Sequence, residues 1–182
     1  MRQGNVSKIV KEIFNEDQRD RLSNNYRKYS EKDKWDIIGK RDAKRIQNLT
    51  YLLKRQPKLR GIDYFRSGLI FQHGQTKDLV KIAKQLAKRS FESGYEPGRW
   101  LYAAATDRLL MMQGKRQKFG TQFRKYGNVW ELHPVQEKTT NKERKKYNVL
   151  SLQKIKGVLS SLNREGQRFG ITKARIGLTR EE

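Results

Sequence analysis

Apolar residues recur at three- and four-residue steps along most of this chain, and that spacing confines it to a mainly helical fold. Val6, Ile9, Val10 and Ile13 form one stripe, in a first helix that can run on to Leu22. Tyr26 to Tyr29 reads as a break. Ser30 followed by Asp33 has the spacing of a capping box, and it opens a second helix whose stripe of Ile38, Ile46, Leu49, Leu52 and Leu53 ends before Pro57. A third helix is expected over about Ile62 to His73, closed by Gly74 as a left-handed C-cap. The fourth, about Thr76 to Ser93, turns Leu79, Ile82, Ala83, Leu86 and Ala87 inward and Lys77, Lys81, Lys84 and Lys88 outward.

Pro97 suits a first helical position. The helix that follows, Trp100 to Met112, is apolar nearly all round and should be central, which makes the charged pair Asp107-Arg108 inside it costly unless each finds a partner. Neighbours on a helix point about 100° apart, so the two must serve different partners. Gln113-Gly114 ends this helix, Lys115 to Gln122 reads as a loop, and Val129-Trp130-Glu131-Leu132 alternates as a short strand that Pro134 stops. Thr140 and Glu143 form another capping box, before a basic helix with Arg144, Lys145 and Lys146. A last helix carries Leu152, Ile155, Val158, Leu159 and Leu162. The expected fold is therefore a single mainly α domain of six to seven helices over 1–162, with at most a short β element near 128–135. A basic tail follows over 163–182.

Charge decides the class of partner. The formal net charge is +23, and it is uneven: +9 over residues 1–60, +3 over 61–113 and +11 over 114–182. Such an excess repels itself and favours a polyanion, because each neutralised phosphate also releases counterions. Nucleic acid, RNA before DNA, is the expected contact; an acidic protein or nucleoprotein is the alternative. With no cysteine, disulfides, thiolate metal sites and cysteine nucleophiles are excluded. The N-terminal Val6–Phe14 stretch is interrupted by Ser7, Lys8, Lys11 and Glu12, so neither a signal peptide nor a membrane span is expected and a cytoplasmic protein is the default. No Walker, dinucleotide or Gly-x-Ser-x-Gly pattern occurs.

The polar residues fall in an order that can be compared with known families. Asp17-Gln18-x-x-Arg21, Asp42, Gly61, Gln72-His73, Thr106-Asp107-Arg108, Gly114-x-x-Gln117-x-Phe119-Gly120-Thr121-Gln122, Pro134-Val135 and Arg144 follow one another at characteristic spacings. Together they resemble a bacterial domain-of-unknown-function family with a Gln-His-Ala-Asp box and a Gln-x-Tyr-Gly-Thr-Gln box, over roughly residues 14–155. The resemblance implies a shared helical fold with a shared polar pocket; the family has no agreed reaction. This chain departs from the pattern at Gly74-Gln75, which replace Ala-Asp, at Phe119, which replaces Tyr, and at Gln136-Glu137, where an aspartate is usual. Losing the carboxylate after His73 weakens a metal-binding role there.

The candidate chemistry is then one imidazole among amides, carboxylates and guanidiniums. His73 is the general acid or base, Asp107 the group that fixes its tautomer, and Arg108 the stabiliser of phosphate or oxyanion charge, with Lys118 and Arg144 able to share that task. Gln72, Gln117, Lys118, Thr121, Gln122, Arg144, Asp17 and Arg21 are the expected substrate contacts. A metal site would have to draw on His73, Asp107, Asp17 and Asp42, a thin set, so no metal and no cofactor is assigned. This equipment fits metal-independent phosphodiester cleavage or RNA modification. It fits equally a non-catalytic basic module whose polar cluster serves the fold, or an enzyme acting on a small metabolite.

Overall fold

Side-chain caps at Ser30, Thr76 and Thr140 open helical segments of this chain. In the computed structural model, which describes residues 3–22, 29–55, 59–126 and 129–164, the fold is mainly α with a small two-stranded β element. By its internal contacts it divides into two units, Met1–Tyr95 and Glu96–Glu182. Of the expected tail, Asn163 and Arg164 close the last helix, and residues 165–182 lie outside the described residues. The expected break at Tyr26 lies outside them too.

The first unit contains α1 (Gln3–Leu22), α2 (Gly39–Lys54), α3 (Gly61–Gln72) and α4 (Lys77–Glu92). Ahead of α2, Ser30 and Asp33 cap each other reciprocally: the Asp33 backbone N–H donates to Ser30 Oγ at 3.1 Å, and the Ser30 backbone N–H donates to Asp33 Oδ2 at 3.2 Å. The chain then passes through a short helical turn, Glu31–Asp33, and a π-helical stretch, Lys34–Ile38, that periodicity does not reveal. The Thr76 hydroxyl caps α4 by accepting from the Leu79 N–H. Within this unit α3 is the enclosed helix, packed by α1, α2 and α4, and it buries even Asp63, Arg66, Ser67 and Gln72.

Gly74 is not the left-handed cap that its position predicts; among the described glycines, positive φ belongs to Gly94, Gly114 and Gly120. Its smallness is required instead by the tight turn into α4, because a Cβ on Gly74 would lie 2.6 Å from the Leu79 Cβ. Steric approach, not φ, selects glycine here.

The second unit contains α5 (Pro97–Met111), the antiparallel strands β1 (Phe123–Tyr126) and β2 (Val129–Leu132), α6 (Asn141–Lys146) and α7 (Leu152–Arg164). Phe123 pairs with Leu132 and Tyr126 with Val129. The β1 strand is absent from the sequence reading because Phe-Arg-Lys-Tyr is too short and too charged to show a period of two. Ala103, Phe119, Val149, Ile155 and Leu159 form the buried core, and the rings of Trp100, Phe123, Trp130 and Tyr147 pack against it. The α7 helix packs on β2, where the Asn163 amide both donates to and accepts from the Trp130 backbone, at 3.0 and 2.8 Å. Thr140 caps α6 as its spacing with Glu143 predicts. Among the described residues no helix is long and apolar enough to cross a membrane.

Candidate functional site

In the first unit, the facing sides of α1 and α2 are joined by a charge network. Asp17, fully buried on α1, accepts from Arg21 Nη1 and, at 2.7 Å, from Gln18 Nε2. Arg21 then reaches across to α2, where its Nη2 donates to Asp42 Oδ2 at 2.6 Å. Asp42 also accepts from Arg45 at 3.0 Å, and Arg45 returns to α1 by pairing with Asp20. Two guanidiniums thus bridge three carboxylates. Helical spacing explains the intrahelical halves: Asp17 and Arg21 are one turn apart, as are Asp42 and Arg45.

His73, at the C-cap of α3, belongs to this network. Its Nε2 lies 3.6 Å from Asp17 Oδ2. Burial by itself would raise the Asp17 carboxyl, but its neighbours His73, Arg21 and Gln18 together hold it below its ordinary value of 3.8. The carboxylate set against His73 is therefore that of Asp17, on α1. Beside the pair, a cleft of about 460 Å³ opens between α2 and the α3–α4 turn. Gly39, Ala43 and Ile46 form one wall and Gly74 and Leu79 the other; Lys40, Asp42, Gln47, His73, Gln75 and Thr76 supply its polar atoms. Gln72, next to His73, is buried.

In the second unit, Asp107 organises the Gln117–Gln122 box. Its Oδ1 accepts the backbone N–H groups of Lys118 at 2.7 Å and Phe119 at 2.8 Å. Its Oδ2 accepts those of Gly120 and Thr121, each at 3.0 Å, and the Thr121 hydroxyl at 2.8 Å. Gly120, at φ 89°, provides the left-handed step that turns these successive N–H groups toward one carboxylate. Burial raises the Asp107 carboxyl, and the donors from Phe119, Thr121 and Lys118 oppose that rise. Gln117, fully buried, donates to the carbonyls of Gln122 and His133 at 3.1 and 2.7 Å and accepts from the Gln122 N–H at 2.9 Å. Gln122 Nε2 donates to the Ala104 carbonyl at 3.3 Å. Arg144, also buried, donates from Nε to the Phe119 carbonyl at 3.0 Å and from Nη1 to that of Thr139. Burial lowers the pKa of Arg144, and the charges of Asp107 and Glu143 counter it. Arg108 is half-buried, its pKa likewise lowered by burial.

Asp17, Arg21 and His73 thus come together in the first unit. Asp107, Gln117, Thr121, Gln122 and Arg144 come together in the second, with Lys118 held there by its N–H. In that second set the polar atoms of Asp107 and Gln117 are occupied by main-chain groups, so this set builds a loop. Sequence reasoning missed Arg45 and Asp20, whose link to each other is tertiary, and the small residues Gly39 and Ala43, whose four-residue spacing on α2 was the available signal. Among the described residues no group of three or more His, Asp or Glu side chains is placed to hold a metal. The chain matches no family model, no curated protein and no solved structure.

Proposed function

We propose that this protein binds RNA through the cations that its own carboxylates leave uncovered. One observation carries the reading: the aspartates at the heart of the fold are held internally, and lysines are left on the outside. Asp17 and Asp63 are fully buried and Asp42 nearly so, each against an arginine, whereas Lys8, Lys11, Lys40, Lys44, Lys54 and Lys77 are exposed. In the second unit Lys138, Lys142, Lys145, Lys146, Lys154 and Lys156 are exposed as well, and none of these lysines pairs with a described carboxylate. A surface of unpaired ammonium groups on a chain of net +23 attracts phosphate over long range and binds it with release of counterions.

The test is anisotropy of a fluorescein-labelled oligoribonucleotide titrated over a series of salt concentrations. Affinity should fall steeply, by about 0.7 log units per log unit of salt for each single-strand phosphate contacted. Binding that is flat in salt, or absent where an acidic protein still binds, would overturn the RNA reading.

A second reading is favoured by the His73–Asp17 pair beside an open cleft: metal-independent cleavage of the bound strand. The 2′-hydroxyl gives its proton to His73, its oxygen bonds to phosphorus as the bond from phosphorus to the 5′-oxygen breaks, and the 5′-oxygen takes a proton from water, whose hydroxide recovers the proton held by His73. Asp17 stabilises the imidazolium that forms. Wild-type protein in chelator should then yield 2′,3′-cyclic phosphate ends, and His73→Ala should bind RNA normally without yielding them. Equal product from both proteins would remove His73 from the reaction, and no product from either would leave a binding protein only.

A further inference from the structure

We propose that the groove between α1 and α2 is a seat for single-stranded RNA, with Tyr51 as the ring on which an unpaired base stacks. The inference rests on the RNA reading above and narrows it from any polyanion to an unpaired strand. Tyr51 is 61% exposed on a helix that buries its neighbours Leu49 and Leu52, so the ring is held out of the core by its place on α2. Arg55, one turn further on, sets its guanidinium carbon 4.6 Å from the ring centroid and donates a hydrogen bond to the phenol oxygen. The pair is a preformed aromatic and cationic surface of the kind on which nucleic-acid bases stack.

The groove around it has matching chemistry. It encloses about 820 Å³, with Ile9 and Ile13 of α1 and Leu52 of α2 as apolar walls. Gln47 and Asn48 line it with amides that donate and accept at base edges, and Lys54 adds an exposed ammonium. On α2 the amide, ring and cation succeed one another at three- and four-residue steps, Gln47 or Asn48, then Tyr51, then Lys54 or Arg55, so they share one face. Lys8 and Arg55 adjoin the lining residues in sequence and are exposed, as is the acid Glu12. An A-form duplex keeps its base faces stacked inside, so only an unpaired strand can use the Tyr51 ring.

The experiment compares an oligouridine of about 20 nucleotides with a blunt RNA duplex of the same length, on wild type, Tyr51→Ala and Tyr51→Phe. Tyr51→Ala should weaken oligouridine binding by about 5-fold to 100-fold, leave the duplex affinity and the salt slope unchanged, and Tyr51→Phe should stay within about 3-fold of wild type. Crosslinks from iodouridine-substituted RNA should map to the peptide containing Tyr51. If wild type binds RNA and Tyr51→Ala binds oligouridine as well, or loses oligouridine and duplex equally, the groove is not a stacking seat and the broader RNA reading stands. If wild type binds neither RNA, both readings fall. A change in sedimentation on Tyr51→Ala without RNA would mark the groove as a contact between copies of the chain and overturn the proposal.

Discussion

A single carboxylate organises the most distinctive sequence box of this chain. Asp107 accepts four backbone N–H groups and one hydroxyl from the four residues Lys118–Thr121, and no neutral side chain of that size offers as many acceptor sites. Replacing Asp107 by Asn turns one oxygen into an amino group facing donors, and stranding two buried N–H groups costs on the order of 2–5 kcal/mol. Urea unfolding should show that loss, and hydrogen exchange should speed up at the amides of 118–121. Unchanged stability and protection in Asp107→Asn would free Asp107 for the chemical role that its place in the sequence first implies. The cost of a charged pair inside an apolar helix was legible in the residues; that Asp107 serves main-chain donors was not, because backbone groups carry no signature in a sequence.

At the scale of elements, α1 and α2 are joined by ions as well as by apolar packing. Asp17 lies at the centre of that joint, and its direction of titration has a measurable sign. The folded protein holds the carboxyl below 3.8, so ionised Asp17 adds stability that is complete above that pH and is lost as pH falls through its lower folded value. Asp63, held low by Arg60, Ser7 and Arg66 against its burial, acts in the same direction. The urea midpoint of wild type should therefore drop on going from about pH 5 to about pH 2, and Asp17→Asn should show a shallower drop from a lower starting stability, the Asp63 share remaining. A parallel pH profile in the variant would show that Asp17 keeps its ordinary pKa. Half of this network was readable, since Asp17/Arg21 and Asp42/Arg45 stand at helical spacings. Its cross-links, Arg21 to Asp42 and Arg45 to Asp20, join residues 21 and 25 positions apart, and periodicity has no reach over that distance.

For the whole molecule, charge is the dominant long-range term. At net +23 the folded chain repels itself, and added salt screens that repulsion over a Debye length of about 10 Å at 0.1 M. The thermal midpoint should rise as sodium chloride is raised from low to moderate concentration, and sulfate or a short oligonucleotide should raise it further by binding the folded state. A midpoint that falls with salt would mean that the internal ion pairs outweigh the surface repulsion. The same experiment separates two consequences of basicity, since RNA affinity should fall with salt while stability rises.

The amino-acid sequence by itself determined the mainly helical class, the capping boxes at Ser30 and Thr140, the helical start at Pro97 and the cationic character of the surface. Each of these is a property of neighbours within about one or two helical turns, or of composition. Only the tertiary structure decided that Asp17 faces His73, that Gly74 is demanded by Leu79 rather than by its own φ, and that Tyr51 stands at the edge of a groove. Those facts depend on which surfaces of separate helices meet, and that choice is made by packing, over distances along the chain where no local pattern survives.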